Sequence, residues 1–311
     1  MPARLPLTSQ RLVVVTGKGG VGKTAVSAAL ARAAVEGRRR VLAVEVGRGR
    51  LAALLGISQG SLEPRPVSPG LAMATVEPEE ALGDFVHSVL RLRVLSRRLL
   101  QSTSFQVLAA AAPGLPEFLV LQKLKAWLDA RRFGRRLYDL IVVDAPATGH
   151  SLPLLAAPRT LGALARLGPV ADSLRAIGAT LADPATTLVC LVSTPEELAV
   201  RETVELHREL ARRLALPVGP AIVNAVPPRH FSRADEEAIA RLEANGERHP
   251  WIAAARFLVE RRREAAVQVR ALRRALGAAP VRLPLLFAGP EADGGVDALA
   301  RELARAARLA A

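Results

Sequence analysis

The run TGKGGVGKTA, Thr16 to Ala25, constrains this chain more than any other segment. It contains Gly-x-x-x-x-Gly-Lys-Thr, and glycines 17, 19, 20 and 22 let the backbone curl until successive N–H groups point inward. The β-branched run RLVVV (Arg11–Val15) precedes it, and a helical stretch from Lys23 to about Glu36, closed by Gly37, follows. Strand, glycine loop and helix N-terminus together make a concave anion site. Its expected lining is Gly17, Lys18, Gly19, Gly20, Val21, Gly22, Lys23, Thr24 and Ala25. Lys23 places a cation against the β- and γ-phosphates, and the Thr24 hydroxyl can ligate Mg²⁺, so the pattern predicts binding of ATP with Mg²⁺.

Lys18 departs from an ordinary phosphate loop, in which the residue after the first glycine needs no charge. A solvated surface lysine is the plain alternative. The functional reading has its ammonium meeting phosphate oxygens of a nucleotide held by a second subunit, where it neutralises charge developing on transfer. That reading makes dimerisation part of catalysis, with Lys18 and Lys23 as the catalytic cations.

The rest of the chain supplies a sheet for this loop. VLAVEV (Val41–Val46), LIVVD (Leu140–Asp144), TLVCLVS (Thr187–Ser193), PAIVN (Pro220–Asn224) and VRLPLL (Val281–Leu286) are continuous apolar runs rather than alternating ones. Strands buried on both faces read this way, which predicts an α/β fold with a mostly parallel sheet flanked by helices, that is, a P-loop NTPase. The 311 residues suit one domain. Two stretches fit the sheet poorly, roughly 81–133 and 234–276. Apolar residues recur there at intervals of three and four, as in Leu90, Val94, Leu95 or Ile252, Ala255, Leu258. They predict an inserted all-helical subdomain.

Two further residues end strands beside the loop. Asp144 can hold a Mg²⁺-bound water or, as a structural residue, cap the following turn. Asn224 is a turn-former or a ligand, since its amide carries both a donor and an acceptor.

The segment KGGVGKT resembles the deviant Walker A loop of the MinD/Mrp/ArsA class of ATPases, and DAPATGHSLPLLAAP (Asp144–Pro158) resembles the switch II signature of its ArsA branch, the arsenite-pump and tail-anchored-protein-targeting ATPases. PGLPEFLVLQKLKAW (Pro113–Trp127), TPEELAVRETVEL (Thr194–Leu206), IVNAVPP around Asn224 and LPLLFAGPEADGGVDAL extend the likeness over nearly the whole chain. The resemblance implies ATP hydrolysis by a dimer, a movable switch at Pro146, Gly149 and His150 with His150 coupled to the helical subdomain, and adenine read by Asn224.

The likeness breaks at switch I. The family carries Asp-Pro after the second strand, the aspartate orienting the attacking water, whereas VEVGRGRLAALLG puts Gly47 and Arg48 there. Glu45 lies on the same side of an extended strand, but two residues displace the backbone by about 6.6 Å and the extra methylene adds only about 1.5 Å of reach. Glu45 is therefore read as a weak candidate base, a contact to Mg²⁺ waters or the phosphate loop, or a structural residue. Hydrolysis is expected to be slow. The alternative is a nonhydrolysing regulatory subunit, paired as a heterodimer with a catalytically typical paralogue.

Composition narrows the partners. One cysteine, Cys190, excludes a multi-cysteine metalloid site, and two methionines, Met1 and Met73, argue against a methionine-lined groove. The expected partner is a protein client at the helical subdomain. The net charge of +14 comes from scattered arginine pairs such as Arg97-Arg98, Arg131-Arg132 and Arg212-Arg213, and only 3% of residues are aromatic. These pairs read as solvated helix faces, with a basic docking face as the alternative; neither nucleic acid nor direct membrane contact is expected, although a chromosome-partition type of ATPase would share the Lys18 loop. The start MPARLPLTSQ has no apolar signal core, and no run of about 18 apolar residues occurs, so a cytoplasmic protein is expected.

Overall fold

Runs such as LVVVTG and TLVCLVS present apolar side chains to both sides, so each strand they form needs cover on two faces. The computed structural model, which describes residues 10–47, 49–77, 81, 114–146, 148–163 and 167–308, shows that arrangement. An eight-stranded sheet contains β1 (Leu12–Gly17), β2 (Val41–Val46), β3 (Arg65–Ser68), β4 (Leu71–Val76), β7 (Leu140–Asp144), β8 (Thr187–Ser193), β9 (Ile222–Val226) and β10 (Val281–Pro284). Its order is β10-β9-β8-β1-β7-β2-β4-β3, parallel except for the β3/β4 edge. A separate hairpin joins β5 (Arg131–Arg132) to β6 (Arg135–Arg136).

Helix α1 (Lys23–Glu36) is rich in alanine, so it lies close to the sheet and to α9 (Gly295–Arg308). With the short α2 (Leu51–Leu54) these helices bury Val13, Val15, Ala43 and Val142 from one face. The other face, with Leu12, Val14, Val44 and Val143, is covered by α3 (Leu115–Asp129), α4 (Thr148–Gly162), α5 (Pro169–Ala182) and α6 (Glu197–Arg208). A π-helical turn, Glu209–Arg213, continues α6. Helix α4 carries Pro153 and Pro158 in its interior.

The two stretches read from sequence as helical separate here. In the first, α3 packs directly on the sheet through Phe118, Leu121 and Leu124, and the chain leaves the helix for the hairpin at Arg131. Leu90, Val94 and Leu95 lie outside the described residues. In the second, α7 (Arg233–Ala244) is capped by Ser232 and Asp235 and pairs with the 27-residue α8 (Pro250–Leu276). Val269 and Leu272 of α8 join the sheet-side core, whereas Ile252, Ala255 and Val259 meet Ile239 of α7 in a small cluster of their own. Arg256–Glu243 and Arg263–Glu236 ion pairs bind the two helices together.

Strands β3 and β4 escape the sequence reading, because LAMATV mixes small and flexible residues with few β-branched ones. Cys190, at the centre of β8, is fully buried and its thiol is pushed up to about 12 by that burial. A thiol held protonated in the core is a poor nucleophile. A colourless aromatic disulfide reagent is therefore expected to leave native protein unlabelled at neutral pH and to titrate the thiol only on unfolding. Rapid labelling of native protein would contradict this placement.

Candidate functional site

The carboxyl ends of β1, β7, β2 and β8 converge on one edge of the sheet, and the sequence-marked residues gather there. Gly17, the last residue of β1, has φ +152, and a Cβ on it would stand 2.2 Å from the Val192 carbonyl oxygen of β8. Gly22 has φ +89, and a Cβ there would stand 2.2 Å from Asn224 Nδ2. Any side chain at either place would force strand or loop apart. Asn224 Nδ2 donates to the Val21 carbonyl at 3.0 Å, so this residue pins the loop from β9.

Helix α1 begins at Gly22 without a side-chain cap or an acidic residue in its first turn. Its first N–H groups thus lack the usual local acceptor, and the helix dipole favours an anion there. Lys23 Nζ donates to the Lys18 carbonyl at 3.0 Å, across the mouth of the loop. Burial pushes the Lys23 ammonium below its ordinary range, and the nearby Asp144 charge pulls it back. Lys18 Nζ points elsewhere. It forms a 2.9 Å ion pair with Glu202 on α6, both side chains about one-third exposed.

Asp144 ends β7 with 6% of its surface exposed. Ser27 Oγ donates to its Oδ1 at 3.1 Å, and the Thr24 hydroxyl also donates to the carboxylate. Burial pushes its pKa up, opposed by these two hydrogen bonds and by Lys23. Ser27 was not singled out in the sequence. Its signal is the helical spacing, since it sits one turn beyond Lys23 on the face that carries Thr24 toward β7. Glu202 left no signal, being brought to Lys18 only by the fold.

On β2, Glu45 lies in register with Asp144 and is 4% exposed. Its Oε1 accepts the Leu51 N–H at 2.7 Å, capping α2 and closing the loop that leaves the strand. Burial raises the Glu45 pKa, and the Asp144 charge adds to this. Gly47 follows with φ +80, its N–H donating to Val76 at 2.9 Å, and the space where a Cβ would project is open. A cavity of about 200 Å³ adjoins it, bounded by Gly47, Pro146, Glu117, Val120 and Leu154. Arg48 lies outside the described residues; His150 falls in the first turn of α4 and Gly149 is exposed.

The donors around Asp144 are oxygens only, as a hard cation such as Mg²⁺ requires. Among the described residues no group of three or more His, Cys, Asp or Glu could hold a metal unaided. This suits Mg²⁺, which is commonly held by one or two protein oxygens together with nucleotide phosphates. Thr24 and Asp144 are the residues that would hold it, the latter through water. Among the described residues no helix is long and apolar enough to cross a membrane.

The raised Asp144 pKa has a stability consequence. Its protonated form is favoured in the ligand-free fold, so the stabilisation is complete below the ordinary carboxyl pKa and is lost as pH rises through the raised folded value. Asp144→Asn is therefore expected to melt at or above the parent at neutral pH without nucleotide, the difference shrinking as pH falls through the carboxyl range. A mutant that melts well below the parent at neutral pH would contradict this.

Known proteins share the pattern. The anion-transporting ATPase family matches residues 10–168. The ATPase BagA of Mycobacterium tuberculosis is 32% identical over 255 residues, covering 79% of this chain and 73% of that protein. The arsenical pump-driving ATPase of Acidiphilium multivorum is 27% identical over 243 residues, 72% of this chain and 40% of its own. That of Escherichia coli is 26% identical over 243 residues, 72% and 41%. With its glycine loop, parallel sheet and strand-final aspartate, this chain belongs to the anion-transporting (ArsA) ATPase family and is a nucleotide-binding ATPase.

Proposed function

We propose that the protein is a Mg·ATP-dependent dimeric ATPase of slow turnover, which switches the α7/α8 helical unit between states of a protein client or partner. The observation that carries this reading is the combination of an intact phosphate loop with a side-chain-free Gly47 where the water-orienting aspartate is expected. The phosphates are held by the loop N–H groups and Lys23. Bound Mg²⁺ would offset charge on the β- and γ-phosphates. Asn224, its Nδ2 engaged by Val21, offers its carbonyl oxygen to the adenine amino group.

Glu45 Oε1 is engaged with the Leu51 N–H, which supports its structural reading and leaves position 47 without a carboxylate to orient water. Loss of such a base removes a factor of roughly 10²–10⁴ in rate. Lys18 meets the partner's nucleotide in the dimer, which requires exchange of its Glu202 pair for phosphate oxygens. The Gly47 observation also favours a second reading, a nonhydrolysing regulatory subunit of a heterodimer with a paralogue. Residence in the cytoplasm suits either reading.

Binding and turnover measurements test the proposal. Lys23→Ala is expected to weaken ATP binding by at least about tenfold in calorimetry, because a charge-assisted contact of about 1.5–3 kcal/mol is lost. Chelation of Mg²⁺ should stop turnover in the parent. Unchanged binding in Lys23→Ala, or no turnover by the isolated protein, would overturn the corresponding part, and turnover appearing only with a paralogue would establish the regulatory reading.

Gly47→Asp tests the missing base directly. Turnover is expected to rise at least about tenfold. Because φ is +80, the aspartate also carries left-handed strain of about 1–2 kcal/mol, seen as a lower thermal midpoint. Glu45→Gln keeps an acceptor for Leu51 and removes only the charge, so turnover should hardly change. Abolished turnover with intact ATP binding would instead identify Glu45 as the base.

A further inference from the structure

The amino ends of the sheet strands, opposite the nucleotide site, gather arginines from three separate segments. Because β1, β7 and β2 are neighbours, Arg11 before β1, Arg38 to Arg40 before β2, and the hairpin RRFGRR before β7 all come to one end of the sheet. Arg11 and Arg39 are partly buried and donate to the Leu128 and Gln10 carbonyls, which fixes them at the base of the patch. Burial and the positive charges of Arg136 and Arg131 push the Arg11 guanidinium below its ordinary range. Two carboxylates face the patch: Asp139 pairs with Arg40 at 2.7 Å, and Asp129 pairs with Lys125. Among the described residues, Arg38, Arg131, Arg132, Arg135 and Arg136 have no ion-pair partner, and all are exposed.

The hairpin itself is locally frustrated. Arg131 stands opposite Arg136 and Arg132 opposite Arg135, two like-charge pairs that oppose strand pairing. Its two central residues, Phe133 and Gly134, have φ +50 and +76. Such a turn favours Asn-Gly, since a bulky side chain at positive φ is strained. Phe occupies that position, 93% exposed, with the Arg132 guanidinium 5.5 Å from its ring centroid. Within the hairpin only exposed contacts offset this, such as the Arg131 guanidinium donating to the Gly134 carbonyl at 3.2 Å. Departures from local preference that the fold does not compensate mark sites shaped by something outside it.

We propose that the Arg131–Arg136 hairpin is a contact site for an anionic phospholipid surface, Phe133 entering the interfacial region while the surrounding arginines meet headgroup phosphates. Charge complementarity selects an anionic partner. A single apolar ring at the tip of a convex two-residue turn selects one with apolar depth, where an aromatic residue flanked by basic ones is the usual interfacial anchor. Stacking of nucleic-acid bases would call for several aromatic residues on a platform, and the hairpin offers one ring. The assignment departs from the sequence expectation of no direct membrane contact, which rested on reading Arg131-Arg132 as a solvated helix face; the pair is in a hairpin. The length of β7, about 17 Å, separates this contact from the nucleotide site.

Sedimentation of the full chain with vesicles tests the proposal, using phosphatidylcholine alone or phosphatidylcholine with phosphatidylglycerol. The parent is expected to bind only the anionic vesicles and to release them as salt is raised. Arg132→Gln with Arg135→Gln removes one like-charge pair and is expected to weaken binding by at least about tenfold. Phe133→Asn suits the turn, so it should keep or raise the thermal midpoint and leave ATP affinity unchanged, while weakening vesicle binding by about tenfold. No binding of the parent to anionic vesicles, equal binding to neutral ones, or variants that bind like the parent would overturn the proposal. Retention of a DNA duplex that depends on the same residues, without vesicle binding, would overturn it in favour of nucleic acid.

Discussion

The structure depends on a place where no Cβ can exist. At Gly17 the backbone of β1 passes so close to the Val192 carbonyl that a methyl group would overlap it, and at Gly22 the Asn224 amide occupies the same kind of space. These two approaches set the curvature of the phosphate loop. The curvature in turn fixes where α1 starts, and the start of α1 decides that Thr24 and Ser27 face Asp144 rather than solvent. The residues that answer a phosphate and a metal are thus positioned by β8 and β9, which contribute little of the phosphate chemistry themselves.

Around this fixed centre the charges are held in arrangements that differ in cost. Asp144 is buried with two hydroxyl donors, and Lys23 satisfies a loop carbonyl, each with its charged form disfavoured by desolvation. An incoming nucleotide with its metal would offset both penalties at once, the anion for Lys23 and the cation for Asp144. Lys18 is different. It is about one-third exposed with a carboxylate partner, so giving up Glu202 would be a modest electrostatic trade rather than relief of a buried charge.

Sequence reading singled out residues that the fold gathers at one edge of the sheet because they are chemically specific. Glycines at fixed offsets, a lysine and hydroxyl opening a helix, and an aspartate ending a β-branched run together suit little besides a phosphate and its metal. Long-range pairings were illegible: nothing in the local pattern links Lys18 to Glu202, nor Asn224 to the Val21 carbonyl. The left-handed backbone at Gly47 is equally silent, since a glycine letter permits that conformation without requiring it. Among the described residues the helical spacing before Phe133 holds from Leu115 to Asp129; the chain becomes extended at Ala130, and the arginines beyond turn back as a hairpin at Phe133-Gly134. Strand β4 was passed over because its burial comes from neighbours and not from its own β-propensity.

Helix α4 takes Gly149 and His150 of the switch segment into its first turn, and the prolines in its interior change how it can bend. Pro153 and Pro158 cannot donate backbone hydrogen bonds, so the carbonyls of Gly149 and Leu154 lose their ordinary partners one turn on. A helix interrupted in this way is compliant in bending at two points and stiff between them. The helix is packed against α3 and α5, so any bend at these two prolines would change its angle against those neighbours.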